Sequence, residues 1–237
     1  MSNTSTGKQT NEKEKGSKGK MQIITKKSNQ HILNKFLSEK LVWLCPIEED
    51  NYREYQLNNA DIMKKLDLPK GTFNGFWPLR QPQWDGIAIS EKGTLYLFEA
   101  KSHRSEIQKS YSKKQELIRT RIDEIAEKIF GIKLDDDSKR DIWYHIYYQI
   151  ANRIVFKEKM QALAGRSTVF DNVVLVFLNF VNDESWEKDK KMVKTSKEWE
   201  EHYTKIFNEM NIDKNTLESE NILIRCLDLK LYNWNWI

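Results

Sequence analysis

Residues 77–103 constrain the fold of this chain more than any other stretch. Two apolar runs there, at 87–89 and 95–98, are separated by a short polar link that contains Gly93. Apolar runs bounded by Pro and Gly predict the two strands of a β-hairpin. The second run continues directly into Glu99 and Lys101. Glu and Lys are almost never fully buried unless they are paired, so this strand end predicts more than a packing role.

Side-chain alternation along the predicted strands brings the charged residues together. Successive side chains point to opposite faces of a strand, so Glu99 and Lys101 share the face of Leu95. If Ile89 pairs with Leu95 across the turn, Asp85 lies directly opposite Glu99. Directly opposed side chains have Cβ atoms about 4.5–5.5 Å apart. Two carboxylates at that separation repel unless one is protonated or a cation lies between them.

This arrangement predicts a site for phosphodiester hydrolysis. Magnesium is typically held by one or two carboxylates, several waters and a substrate phosphate. Such an ion makes its bound water more acidic and neutralises charge that develops on a phosphoryl oxygen. An ammonium group beside that water, here Lys101, can orient it and stabilise the transition state.

Asp85, followed after thirteen residues by Glu99-Ala100-Lys101, resembles the motif of the PD-(D/E)XK nuclease superfamily. This superfamily includes restriction endonucleases and Holliday-junction resolvases, and residues 76–86 and 97–103 are similar to a bacterial branch of it. Trp84 stands where the motif has proline. The resemblance implies an endonuclease that depends on Mg²⁺ or Mn²⁺. It also implies that Asp85, Glu99 and the backbone carbonyl of Ala100 bind the metal, and that Lys101 is the catalytic lysine.

Many members of this superfamily carry a further acidic residue on a helix before the motif. The resemblance therefore makes Glu54, on a helix predicted at 51–66, a candidate metal ligand, with Glu39 as the second choice. A surface position explains Glu54 equally well.

Other functions remain compatible with the same residues. Charged residues near a strand end can form a solvated edge that discourages aggregation. The chain could also be a non-catalytic nucleic-acid-binding or interaction module that retains the nuclease fold. A third alternative is a structural protein in which the hairpin charges have no function.

Composition predicts a soluble, cytoplasmic protein with one sizeable core. The chain has 237 residues, of which 39% are hydrophobic and 31% are charged. It contains no apolar run close to the roughly 20 residues that span a bilayer, and no secretory signal is recognisable. Cys45 and Cys226 lie on apolar segments, so a disulfide framework is not expected. The four histidines are scattered along the chain, which argues against a histidine metal site.

The charge pattern divides the chain into a tail and a domain. Residues 1–27 are rich in lysine and poor in large apolar side chains before Met21, which predicts a disordered basic tail. Residues 28–237 are expected to form a single nuclease-like α/β domain. Helices are predicted at 28–44, 51–66, 105–130 and 196–210, and a second long helix follows the one at 105–130 and ends at about residue 164. Further strands are predicted at 173–180 and 222–227.

This order of elements predicts an α/β sandwich, a mixed central sheet with helices on both faces. The resemblance implies that the sandwich is restriction-endonuclease-like, enlarged by a long helical segment at 105–164. The expected partner is nucleic acid, with DNA as the first choice over RNA. Sequence specificity is left open, and a homodimer is compatible with two cuts on a duplex. The candidate nucleic-acid contacts are Arg80, Lys109, Lys113 and Gln149, and Arg153 lies on the same side of its helix as Gln149.

Overall fold

Five strands form one mixed sheet in the part of the chain that the computed structural model describes, residues 16–107 and 115–232. They are β1 (Leu41–Cys45), β2 (Gly86–Ser90), β3 (Thr94–Lys101), β4 (Asn172–Val181) and β5 (Ile222–Asp228). Their spatial order follows the chain. The pairs β1–β2 and β2–β3 are antiparallel, whereas β3–β4 and β4–β5 are parallel.

The predicted hairpin and its register are confirmed. Ile89 pairs with Leu95, and Gly86 pairs with Phe98. The period-two alternation then divides the apolar side chains of β3 between two cores. Leu95 packs in the larger core on one face of the sheet, and Phe98 packs in the smaller core on the other.

Helices cover both faces of the sheet, so the predicted α/β sandwich is confirmed at this level. One face, called the α6 face, packs against α4 (Glu116–Phe130), α6 (Tyr148–Gln161) and α7 (Ser196–Glu209). The other, called the α1 face, packs against α1 (Ser17–Thr25) and α2 (Gln30–Leu37). The shorter helices are α3 (Ala60–Lys65), α5 (Asp137–Asp141) and α8 (Lys214–Ser219), and a π-helical turn (Ile142–Ile146) follows α5.

The strands predicted at 173–180 and 222–227 and the helix predicted at 196–210 are confirmed by β4, β5 and α7. The helix predicted up to residue 44 is wrong at its end, because residues 41–45 form β1 and pair with β2. The helix predicted at 51–66 is also wrong over most of its length. Asn51 and Tyr52 have positive φ angles of 59° and 54°, which a continuous helix does not tolerate. Only α3 forms, capped by the Asn59 side chain.

The long helical segment predicted at 105–164 consists of several helices. The helix predicted at 105–130 is wrong at its start, because Arg104–Glu106 form a 3-10 turn, Gln115 is extended and α4 begins only at Glu116. Gly131 ends α4 as its C-cap, in a left-handed conformation that glycine adopts without strain. Asp136 begins α5 by accepting a hydrogen bond from the Lys139 backbone. The π-helical turn then separates α5 from α6.

The prediction of a disordered tail at 1–27 is wrong for residues 17–25, which form α1. Met21 and Ile24 are buried in the smaller core, although lysines surround them in the sequence. Lys20 adds an ion pair to Asp183 at 3.2 Å, with both side chains almost fully buried. Three apolar residues within one turn of α1 therefore pack against the α1 face of the sheet. Residues 1–15 lie outside the described residues.

We predict that Ile24→Ala lowers the free energy of unfolding by about 2–4 kcal/mol, because it leaves a cavity in the smaller core. Urea unfolding followed by circular dichroism measures the change. Ser28→Ala, at an exposed position just after α1, serves as the control and should unfold like the wild type. Equal stability of Ile24→Ala and wild type would show that α1 is not part of the core.

Candidate active site

The carboxyl end of β3 brings the predicted trio together. Glu99 and Lys101 lie on the α6 face of β3 and are only 2% and 6% exposed. Asp85 immediately precedes β2, one residue beyond the Gly86–Phe98 pair, which places it opposite Glu99. The Ala100 backbone N–H donates to Asp85 Oδ2 at 2.7 Å. Asp85, at the entrance to β2, and Glu99, on β3, therefore lie across the hairpin from each other, as the register predicted.

Glu99 lies between two cationic side chains. One carboxylate oxygen accepts from Lys101 Nζ, and the other accepts from Arg153 Nε at 2.5 Å. Arg153 belongs to α6 and also donates to the backbone oxygen of Gln83 at 2.7 Å. Its guanidinium lies 4.7 Å from the ring centroid of Trp84. Arg153 thus joins α6 to β3 and to the segment that leads into Asp85.

The sequence pattern places Arg153 on the same side of its helix as Gln149 but does not indicate its pairing with Glu99. The pairing depends on how α6 docks against the sheet, across 54 positions of sequence. The available signal was an arginine on the apolar side of an amphipathic helix, between Ile150 and Ile154. Such a residue must find a buried partner, because burying an unpaired charge is costly.

The two carboxylates respond to this environment in opposite ways. Burial raises the pKa of Asp85 to about 8; the nearby Glu99 adds to the increase, and Lys101 opposes it. Burial also acts to raise the pKa of Glu99, but Arg153 and Lys101 outweigh it and hold that pKa below its usual value. Near neutral pH, Glu99 is therefore ionised while Asp85 is largely protonated in the absence of a bound cation.

Glu54 lies near the site, although the helix predicted to carry it is absent. The neighbouring Tyr55 forms an isolated β-bridge with Trp84, whose backbone N–H donates to the backbone carbonyl oxygen of Tyr55 at 3.0 Å. The charge of Glu54 contributes to the raised pKa of Asp85. Its own carboxylate lies 3.5 Å from Lys18 Nζ on α1.

The second choice, Glu39, is wrong as a metal ligand. It lies 3.7 Å from Lys92 Nζ, in the hairpin turn. That turn is at the opposite end of β3 from Glu99.

The four predicted nucleic-acid contacts have different outcomes. Gln149 lies on α6, one turn before Arg153, and its buried Oε1 has no hydrogen-bond partner among the residues described. Arg80 is exposed on the loop that leads to Asp85, so its contact with phosphate stays a prediction. Lys109 and Lys113 lie outside the described residues.

The donor set fits a magnesium ion of the kind that keeps several waters. Asp85 and Glu99 supply the one or two carboxylates that such an ion requires. Within residues 16–107 and 115–232, no three His, Cys, Asp or Glu side chains are placed so that they could hold a metal ion together. The unpaired Oε1 of Gln149 is a further hard oxygen on the side of α6 that meets Glu99. Because both Glu99 oxygens are already engaged, a metal ion at Glu99 would compete with Lys101 or Arg153.

The chain was compared with known protein families, curated proteins and solved structures, and no match was found in any of the three. None of the described helices is long and apolar enough to cross a membrane. Inferences about function therefore depend on the motif and on the geometry of the site.

The raised pKa of Asp85 gives a pH-dependent prediction. The unfolded chain releases the Asp85 proton near pH 4, whereas the folded chain keeps it until about pH 8. This carboxyl therefore reduces stability as the pH rises through that window, by up to about 1.4 kcal/mol per pH unit. Asp85→Asn removes the effect, and the asparagine oxygen can still accept from the Ala100 N–H.

We expect the free energy of unfolding of Asp85→Asn, minus that of the wild type, to increase between pH 5 and about pH 8 and then to level off. Urea unfolding in EDTA at a series of pH values measures it. Glu201→Gln, at an exposed position of α7, is the matched control and should show no such growth. A pH-independent difference for Asp85→Asn would contradict the raised pKa.

Proposed function

We propose that this chain is a metal-dependent nuclease that hydrolyses phosphodiester bonds of nucleic acid, with DNA as the expected substrate. The observation that carries the proposal is the convergence of Asp85, Glu99 and Lys101 at the carboxyl end of β3. An antiparallel hairpin followed by two parallel strands is compatible with the restriction-endonuclease-like fold that the motif implies.

Asp85, Glu99 and the carbonyl of Ala100 would hold Mg²⁺ or Mn²⁺, and Glu54 is a further candidate ligand. The ion would make a bound water more acidic and neutralise charge on the phosphoryl group. A cation beside Asp85 favours its ionised form, so metal affinity is expected to increase as the pH rises toward 8.

Lys101 is the group best placed to act on a water or phosphate oxygen. Its ammonium is buried in an ion pair with the Glu99 carboxylate, which limits the rotation of the lysine side chain. A fixed ammonium can donate to the attacking water or to a phosphate oxygen as negative charge develops there. Because it is already oriented before the reaction, it stabilises the transition state without reorganisation.

Arg153 is a positioning residue in this proposal. Its bond to Glu99 orients the carboxylate that pairs with Lys101. Its bond to the Gln83 backbone fixes the segment that leads into Asp85. The stacked ring of Trp84 limits the freedom of the guanidinium further. One side chain thus sets the relative positions of the two strands that carry the carboxylates.

The alternative is a non-catalytic nucleic-acid-binding or interaction module. A specific observation favours it: Lys101 and Arg153 together satisfy both oxygens of Glu99 without any metal. Because the Glu99 charge is neutralised by these two side chains, the three residues can have a purely structural role. The cleavage experiment below separates this alternative from the nuclease.

We predict that Lys101→Ala lowers the cleavage rate by about 10²–10³-fold, the usual cost of removing one transition-state donor. Glu99 keeps its ion pair to Arg153 in this variant, so the fold and nucleic-acid binding should be preserved. Cleavage is measured with Mg²⁺ and Mn²⁺ over a panel of linear, branched, single-stranded and double-stranded DNA and RNA.

Lys40→Ala, which removes an exposed lysine near the hairpin turn, is the control and should cleave at the wild-type rate. Equal rates for Lys101→Ala and wild type would show that Lys101 is not catalytic. If the wild type binds nucleic acid but cleaves no substrate with either metal, the binding-module alternative is favoured.

A further inference from the structure

A second group of cationic side chains lies at the far end of α6, outside the candidate active site. Lys159 Nζ is 5.1 Å from the centroid of the Phe76 ring, and Arg121 Cζ is 5.7 Å from it. Arg166 is exposed on the turn that follows α6, where its backbone N–H donates to the Leu163 oxygen at 3.0 Å. Its charge contributes to the lowered pKa of Lys159. The site consists of Lys159, Arg166 and the ring of Phe76, and we call it the basic aromatic cluster.

Arg121 builds this cluster but is not available to a ligand. Its guanidinium donates to the backbone oxygens of Gly75 and Phe76, at 3.1 and 3.4 Å. A third nitrogen pairs with Glu124 at 2.6 Å. Arg121 therefore fixes the loop that carries Phe76 against α4, and its charge is already partly neutralised.

Lys159 and Arg166, in contrast, have no carboxylate partner in the portion of the chain that is described. Partial burial lowers the pKa of Lys159, and the neighbouring Arg121 and Arg166 lower it further. Cations that are held together without acidic partners produce a local positive potential. Binding an anion between them would relieve their mutual repulsion.

The aromatic ring favours nucleic acid over an acidic peptide as the source of that anion. Proteins that hold nucleic-acid strands combine cations along the backbone with aromatic side chains that contact bases. Phe76 is half-buried, and Lys159 Nζ lies over its ring. The Phe76 ring packs edge to face against the ring of Phe156 of α6, with centroids 5.4 Å apart.

The position of the cluster along α6 suits one bound strand that passes both sites. Lys159 is six residues after Arg153, which corresponds to about 9 Å along the helix axis. Phosphates of one DNA strand are spaced by about 3.4 Å along the duplex axis. For a strand that runs along α6, this axial distance corresponds to about two or three phosphate spacings.

We propose that Lys159 and Arg166 bind backbone phosphates of the nucleic acid a few nucleotides from the bond to be cut, beside Phe76. The identity of the ligand rests on the proposed nuclease function. The cluster would then contribute affinity and register without taking part in the chemistry.

The test is binding of a short labelled DNA duplex in EDTA, so that no cleavage is needed. The double variant Lys159→Gln/Arg166→Gln is compared with wild type over a range of salt concentrations. We expect its Kd to rise about tenfold or more, and the slope of log K against log salt to fall by about two. The control, Lys197→Gln/Lys205→Gln, removes the same charge from the exposed surface of α7 and should bind like the wild type.

The same variants are tested against a polyglutamate peptide to separate the two kinds of anion. Loss of peptide binding with unchanged DNA binding would overturn the proposal in favour of an acidic protein partner. An unchanged Kd and salt slope for DNA in the double variant would also overturn it, even if the wild type proves to be a nuclease. Weaker DNA binding by the double variant supports the cluster even if no substrate is ever cleaved.

Discussion

The structure of the candidate site depends on one buried carboxylate, Glu99, which lies between Lys101 and Arg153. Each of these three side chains would be too costly to bury alone, and each is stabilised there by its partner. The network joins β3 to α6 and, through the Gln83 backbone, to the chain that enters β2. Removing either cation would leave Glu99 less compensated in the interior, so the three charges fix one another's positions.

Asp85 lies beside this network, which compensates its charge only in part. Its carboxyl is buried beside the negative charge of Glu99, and both effects raise its pKa to about 8. A divalent cation at this point would offset the shift, because it favours the ionised carboxylate, and it would take one carboxylate ligand from each side of the hairpin. In the proposed nuclease, the repulsion between two carboxylates and the affinity for metal therefore have the same origin. The basic aromatic cluster adds a separate positive region on α6, where an anionic strand would be held without affecting this balance.

The sequence predicted the local geometry of the site much better than its long-range contacts. Period-two alternation and a short turn were sufficient to place Asp85 opposite Glu99, because both act within one hairpin. The pairing of Arg153 with Glu99 could not be read from either pattern, since it requires the docking of α6. Glu54 lies near Asp85 by way of a loop bridge, although the predicted helix does not form. Helix α1 was missed because its stability comes from packing against the sheet, and its lysines resemble those of a disordered tail.

The central claim is that Asp85 and Glu99 bind one divalent metal ion. Anomalous X-ray diffraction from crystals of the protein grown with Mn²⁺ at pH 8 tests it most directly. The account predicts a manganese peak between the two carboxylates, with Glu99 released from at least one of its two cationic partners. A manganese-free site in which Glu99 still contacts both Lys101 and Arg153 would contradict it.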